Sequence, residues 1–583
     1  MKRFLTILFL TASCTLAFGT DYYVRTDGSN SNNGLSNTSG GAWLTVAYAC
    51  SQVSAGTHTI NIGTGTFDEG TNEMVLAVGV SLTGSSKTGT IIISRRATVR
   101  NSAGVQSASI TLASASEGTN GNQSISFLTL DGDNQTGDLD GNPAYVGILV
   151  YRRSNVIVHD CIVKDFFTGG ILFHGCQVNY EPTTYSSGNK VYNCSIIDCA
   201  DTAETWGSAA NITIGAQTEM EIYDCILTNN GRAQGHNGNL IKSEYYEKGV
   251  KIYRTIFTKI DDDGAEYNFH IEMWNTLGGM EVYDCEFYGG DCAINIAGFF
   301  NLKGDYDYSW WIHDNYFEST NLVSSENNNR VTIIMEDEHF QDVIVERNHF
   351  YKCPTPIVIS NGSVSENIIE RIRVSYNVFE ECGWDNEDYW SNNLRIENQD
   401  AENIMEDILI LNNIILTTSL HQTTGIRVDI AGSATNIQIR NNIVIGNDNG
   451  AWLIVSNSGS IDGFYVNNNV QYDNTNSNDP SISGNAIANY SYSGAVKSDP
   501  LFVGARDFHL QSGSPAKDAG MDVGLTLDYD QYVVPFNTIQ DIGAFEFGSS
   551  GEEEEDPPAV VIFRKNSSGT RFLKSSTGTK FIR

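Results

Sequence analysis

The sequence predicts an all-β chain wound as a parallel β-helix, a solenoid of about 30 residues per coil, and three observations carry that reading. A phrase is written twice: "MEIYDCILTNNG" from Met220 returns as "MEVYDCEFYGGD" from Met280. Its core, an alternating strand, a polar dipeptide and a short apolar strand, recurs as "VIVHDCIV", "KVYNCSII", "VKIYRTIF", "WWIHDNYF", "VIVERNHF", "IRVSYNVF", "ILILNNIIL", "IQIRNNIVI" and "FYVNNNV". Aligned on the second residue of the dipeptide, these give Cys161, Cys194, Cys225, Thr255, Cys285, Asn315, Asn348, Asn377, Asn413, Asn442 and Asn469, in steps of 27 to 36 residues. Composition is the third observation: 55 Gly, only 10 Pro and 18% charged residues suit strands joined by turns.

The repeated units alternate with period two and are rich in Ile, Val, Phe and Tyr, so they read as strands; the three- and four-residue spacing of helical repeats is missing. Strands that return each turn stack in parallel, about 4.8 Å apart. Asparagine at the turn tolerates unusual backbone angles, and its amide can bond to the next amide in the stack. One array covering residues 124–475 argues for a single elongated body rather than several globular domains.

Residues 1–19 read as a secretory signal: Lys2 and Arg3, an apolar run, then Ala17-Phe18-Gly19 as a cleavage site near Gly19. No other stretch is long and apolar enough for a membrane span, so the expected location is secreted or at the cell surface. Ten cysteines would remain after cleavage. Cys161, Cys194, Cys225 and Cys285 hold the repeated turn position, and Cys199, Cys353 and Cys382 each follow it by five residues. Side chains stacked in parallel register sit slightly too far apart for disulfides, so buried free thiols are expected.

The segment "YYVRTDGSNSNNGLS…AWLTVAYACSQV…INIGTGTFDE" (22–69) resembles the entry of secreted bacterial right-handed β-helix proteins of the pectate-lyase-like superfamily. "DPLFVGARDFHLQSGSPAKDAG…DIGAFEF" (499–547) resembles the last coil and cap of the same group. The resemblance implies a right-handed β-helix over residues 61–547 behind an N-terminal entry and cap at 20–60, with "LTVAYACSQV" as a short helix sealing the first coil. It implies no single activity, because members include lyases and hydrolases of acidic polysaccharides as well as binding and adhesive proteins. After it, 548–558 ("GSSGEEEEDPP") reads as a flexible acidic linker. Residues 559–583 carry a nine-residue basic repeat with Phe563, Phe572 and Phe581 in phase, a small β-meander or a disordered tail that could dock to a cell surface or export partner.

Chemistry is expected on the outer face of the second strand in each coil, where rigid backbone holds side chains in register. Four such strands read Ile241-Lys242-Ser243-Glu244, Phe269-His270-Ile271-Glu272, Leu394-Arg395-Ile396-Glu397 and Ile426-Arg427-Val428-Asp429. Lys242 and His270 are the candidate base and acid of a lyase, with Glu244 and Glu272 completing the catalytic set. In a hydrolase Glu244 and Glu272, stacked about 5 Å apart, would be the working carboxylates. Lys242-Ser243 resembles part of the strand motif of alginate and dermatan lyases of this architecture; His270 stands where that motif places Arg. Arg395 and Arg427, either substrate contacts or members of surface ion pairs, and the loop aromatics Trp274, Trp311, Trp384 and Trp390 are the candidate sugar-binding groups. Asp261, Asp262 and Asp263 could hold calcium through oxygen ligands, or form a plain acidic turn.

A net charge of −35 excludes nucleic acid as an expected partner and requires a local basic patch or calcium for any acidic glycan. No nucleotide-binding loop, zinc spacing or Ser-His-Asp arrangement is present in the sequence. The expected function is therefore a secreted polysaccharide lyase acting by β-elimination. The alternatives are a non-catalytic adhesive or fibre-type β-helix that binds glycans, and a glycoside hydrolase.

Overall fold

A computed structural model describes residues 19–548 apart from short internal stretches, the longest at 135–143, 201–209, 230–237, 260–268, 320–330, 384–391, 418–423 and 447–451. Beyond residue 548 it describes the backbone of three strands. Residues 1–18 of the predicted leader at 1–19, and most of the acidic linker, lie outside the described residues.

The chain forms the expected right-handed parallel β-helix, built from three long parallel sheets of 16, 14 and 14 strands, the second of which also carries the short strand Ala97–Thr98, paired antiparallel. In each coil a strand of the leading sheet runs into the repeated turn, a strand of the trailing sheet leaves it, and a longer connection reaches the far sheet. One coil shows the order: Glu221–Tyr223, then Ile226–Asn229, then Asn239–Ser243.

The polar dipeptide divides its work between two residues. Its first member is left-handed at every aligned turn, with φ of 47–56° at Asp160, Asn193, Asp224, Arg254, Asp284, Asp314, Arg347, Tyr376, Asn412, Asn441 and Asn468. Asp and Asn adopt this region most readily, which accounts for their frequency there. The second member points inward. From Asn348 to Asn469 each amide oxygen accepts the backbone N–H and the Nδ2–H of the asparagine one coil before, at 2.9–3.1 Å. Toward the N-terminus the same column is filled by buried free thiols at Cys161, Cys194, Cys225 and Cys285, interrupted by Thr255.

Inside, Phe257, Phe287, Phe317, Phe350 and Phe379 of the trailing sheet stack at 4.6–4.9 Å. Each buries a ring contributing about 1.5–3 kcal/mol, with a further increment from the offset stack. At the N-terminal end the helix Val46–Gln52 buries Val46, Ala49 and Cys50 against the first coils. Buried Glu69 caps it, accepting the N–H groups of Val46 (2.6 Å) and Ala47 (3.1 Å).

The segment 499–547 runs along the turn edge of the last coils as a strap. Gln540 donates to the Tyr376 hydroxyl (3.0 Å), Asn412 to the Gly543 carbonyl (3.0 Å), and Arg506 pairs with Glu380 (2.6 Å). Phe508, Leu510, Ile542 and Ala544 form an apolar cluster with Tyr376, Ile414, Ile443 and Val470. The final strands Ser481–Gly484 and Ala488–Ser493 are largely exposed. In the tail Ile562–Lys565, Arg571–Ser575 and Gly578–Phe581 pair antiparallel. Among the described residues no helix is long and apolar enough to cross a membrane.

Candidate functional site

The connections 198–209, 230–238, 260–268, 319–330 and 383–391 all join the trailing sheet to the far sheet, so the sequence's most chemistry-rich loops attach along one edge of the far sheet. Strands there are buried on both faces, as in Ala210–Gly215, Thr355–Ser360 and Asn392–Asn398. Polar side chains held in such a setting need partners.

Lys242 and His270 do not stack. Ile241 pairs with Ile271 and Lys242 with Glu272, two residues away from the expected alignment. Lys242 Nζ lies 2.7 Å from Glu272, which also accepts from Trp274 Nε1 (2.9 Å) and Asn239 Nδ2 (2.5 Å). Glu272 is thus a saturated ion-pair member rather than an available base. His270 corrects the expectation of an outward acid. It is fully buried, its ring meeting Phe257 and Phe287 edge to face at 6.2 and 5.7 Å, and its Nε2 lies 3.2 Å from the Tyr288 carbonyl. Burial lowers its pKa to about 3, so the ring is neutral and cannot deliver a proton near neutrality.

Arg395 and Arg427 are in register, as are Glu397 and Asp429. Arg395 is wholly buried and cannot touch a ligand, which corrects its assignment as a sugar contact. Its guanidinium meets Glu397 and stands 3.7 Å from Asp429. Arg427 keeps about a quarter of its side chain exposed (23%) and pairs with Asp429 at 2.7 Å. Trp311 belongs to the leading sheet, stacked on His313 at 3.9 Å and donating to Glu346 (3.0 Å), so it is remote from the far-sheet groups. Its neighbour Trp310 faces inward. Glu244, Asp261, Asp262, Asp263, Trp384 and Trp390 lie outside the described residues. Among the described residues no group of three His, Cys, Asp or Glu side chains could hold a metal.

What sequence reasoning missed is the groove beside Glu397 and Asp429. It measures about 570 Å³ and is walled by Glu397, Asp429, Gln399, Ser456, Asn457 and Ser483, among others. Ser360, Glu397, Asp429, Ser456 and Ser483 occupy one register column on five successive coils. Glu397 Oε2 accepts from Gln399 Nε2 (2.6 Å) and Ser360 Oγ (3.4 Å). Burial holds its carboxyl above the usual range, against the opposing pull of Arg395. Its in-register neighbour Asp429 is one coil away, so the carboxyls stand on the order of 5 Å apart. The signal was present in the sequence: two basic–acidic strands in phase, followed by coils whose outward residues shrink to Ser456 and Ser483 and leave space.

No family model matches the chain, and no curated protein matches it in sequence. It is similar in structure to pectin methylesterase PemA from Erwinia chrysanthemi, with 15% identity, 54% of this chain and 93% of that one covered, and a TM-score of 0.32. It is likewise similar to an alginate lyase from Paenibacillus sp. str. FPU-7 (13% identity, 57% and 91% covered, TM-score 0.32). A third is PfbA, a surface adhesin of Streptococcus pneumoniae (15% identity, 76% and 86% covered, TM-score 0.39). All three are parallel β-helix proteins. At such identities and scores the likeness assigns no reaction to this chain.

Proposed function

We propose that the protein is a polysaccharide-active β-helix protein that hydrolyses a glycosidic bond in the Glu397–Asp429 groove. One observation carries this reading: two carboxylates in register on adjacent coils, one of them kept above the usual carboxyl range by burial, line an open polar groove. Retaining glycosidases place their carboxyls about 5–5.5 Å apart, and a one-coil step supplies nearly that spacing.

In this mechanism Glu397, protonated, gives its proton to the glycosidic oxygen as the bond to the anomeric carbon breaks. Asp429, the more exposed of the two at 22% against 2%, attacks that carbon and forms a glycosyl ester. Water, deprotonated by the Glu397 carboxylate, then releases the sugar and returns both groups to their starting states. Arg427 orients Asp429 through the 2.7 Å contact, and Ser456, Asn457 and Ser483 offer hydrogen bonds to sugar hydroxyls. β-Elimination is less well supported, because Lys242 is held by Glu272 and His270 sits in the core.

Non-catalytic binding is the second reading, favoured by the arginine that each carboxylate already contacts. A panel of neutral and uronic-acid glycans separates the cases. Hydrolysis yields new reducing ends without unsaturated, ultraviolet-absorbing ends, and Glu397→Gln and Asp429→Asn should each lower it at least ~100-fold with the fold intact. Unsaturated ends would restore the lyase reading, and binding without cleavage, unaffected by either change, would favour the adhesive one.

A further inference from the structure

The leading sheet presents a second organised surface that the groove does not use. Its outward side chains form two columns along the helix axis. One is a stack of rings, His159, Tyr192, Tyr223, Tyr253, Tyr283 and His313, with centroids 4.9–5.1 Å apart and planes within 12°. Rings stacked on each other offer edges and hydroxyls to a ligand, not faces, so a sugar cannot lie flat on this column. The other column alternates charge: Lys190 pairs with Glu221 at 2.7 Å and Lys251 with Glu281 at 2.6 Å.

Residues 303–308 add faces to this surface. Tyr306 and Tyr308 enclose, with Glu219, Glu221 and Lys251, a cavity of about 270 Å³ whose floor includes Gly249 and Gly279. Those glycines seat Tyr306. A Cβ at Gly249 would stand 2.6 Å from the Tyr306 hydroxyl, and one at Gly279 would stand 2.4 Å from its ring. Both also have left-handed backbones, with φ of +63° and +67°. Two successive coils thus lack side chains where an aromatic ring needs room, and that ring lines an open cavity rather than the core.

The charge of the cavity narrows its ligand. Lys251 is already engaged by Glu281, and Glu221 holds Lys190 and accepts the Tyr253 hydroxyl (2.8 Å). Exposed Glu219 tips the balance negative in a chain of net charge −35, which repels uronates and sulfated sugars. An uncharged sugar suffers no such penalty. Its hydroxyls can donate to the carboxylates and accept from Lys251, while its C–H face meets a tyrosine.

We propose that this cavity is a second glycan site, selective for neutral sugar residues, on a different sheet and about five coils, on the order of 25 Å, from the Glu397–Asp429 groove. Its service as a tether for the polymer being cleaved rests on the hydrolase reading; its occupancy by neutral sugar does not.

The test uses the full chain carrying Glu397→Gln, so that nothing is cleaved, titrated calorimetrically with neutral gluco-, xylo- and manno-oligosaccharides and, in parallel, with oligouronates. Two sites per chain are expected for a neutral oligosaccharide, falling to one when Tyr308→Ala or, separately, Gly249→Leu is added with the Tm retained. In the chain with Glu397 restored, Tyr308→Ala should leave turnover of short soluble substrates unchanged and weaken retention on insoluble polymer by at least about tenfold, as loss of one of two linked contacts requires. A single site that survives Tyr308→Ala and Gly249→Leu, two sites surviving both changes, oligouronates filling the second site, or no binding of any neutral sugar would each overturn the proposal. If neutral sugar binds here and is lost with Tyr308→Ala, while no glycan is ever cleaved, this site stands and the hydrolase reading falls.

Discussion

Lys242 Nζ and Glu272 Oε2 lie 2.7 Å apart on adjacent coils, and the pair is largely buried, with 18% and 8% of the two side chains exposed. An ion pair so placed is costly to break from one side, because the remaining carboxylate keeps its desolvation without its partner. Trp274 and Asn239 would still hold Glu272, which moderates the loss. Lys242→Ala is expected to cost about 2–3 kcal/mol in denaturant unfolding and to leave glycan turnover unchanged. A large loss of turnover at full stability would return Lys242 to the chemistry.

The turn column was legible because each turn repeats its anchor: a left-handed first residue and, after it, a stacked Asn or Cys everywhere but at Thr255. The far sheet lost that anchor, since its strands follow connections of varying length. Side chains alternate with period two, so sliding one strand by two residues keeps every inward residue inward. That is the slip between Lys242 and His270, and no hydrophobic pattern could have detected it. Arg395 and Arg427 escaped it because both strands carry the same basic and acidic positions. Burial of Arg395 was invisible for another reason: alternation predicts which side a residue faces, not what covers that side. At His270 the alternation itself fails, because the ring turns in against Phe257 and Phe287.

The asparagine column should be the most sensitive part of the fold to a single change. Asn377 accepts the N–H and Nδ2–H of Asn348, both at 3.0 Å, and donates to the Val345 and Ser375 carbonyls and to Asn413 Oδ1 at 2.9–3.1 Å, all buried. Each orphaned buried partner costs about 1–3 kcal/mol before relaxation or entering water recovers part of it. Asn377→Ala is therefore expected to destabilise by about 3–5 kcal/mol, against about 1 kcal/mol for Cys285→Ala, whose thiol is a weak donor. Equal losses in urea melts would mean the amide ladder adds nothing beyond filling space.

All ten cysteines among the described residues are buried, and none is in a disulfide. Burial raises the thiols of Cys285 and Cys382 well above their ordinary range and that of Cys50 to about 12, so little thiolate is available for attack. The native protein should resist thiol reagents at pH 8, and denatured, unreduced protein should react at those ten positions. Disulfides found by mass spectrometry would contradict the stacked register.

The strap at 499–547 is expected to loosen as pH rises, in two steps. Burial raises Glu546 from an ordinary 4.5 to about 7. Its contribution is fully present below 4.5 and is lost as pH climbs through about 7. His509 lies between Asp530 (2.7 Å) and Asp507 (2.6 Å), contacts that raise it from 6.5 to about 9. Its contribution is whole below 6.5 and is lost through about 9, though solvent exposure keeps it small. Hydrogen exchange in the strap, followed from pH 4 to 10, should accelerate over both windows. Glu546→Gln should flatten the lower window and His509→Gln the upper, and a strap that tightens with rising pH would refute the assignment.

Arg395 supplies the sharpest test of Glu397 as the proton donor, because it touches that carboxylate and, being fully buried, can touch no sugar. Removing its charge leaves Glu397 with the desolvation that raises its pKa and without the strongest influence lowering it. If Glu397 donates the proton, the alkaline limb of the kcat profile reports its ionisation, and Arg395→Met must move that limb to higher pH. KM should hardly change, since no sugar contact is lost. Arg427→Met acts on Asp429 and should lower kcat without displacing the same limb. A folded Arg395→Met protein with an unmoved limb would show that another group supplies the proton, whatever the fate of the Asp429 assignment.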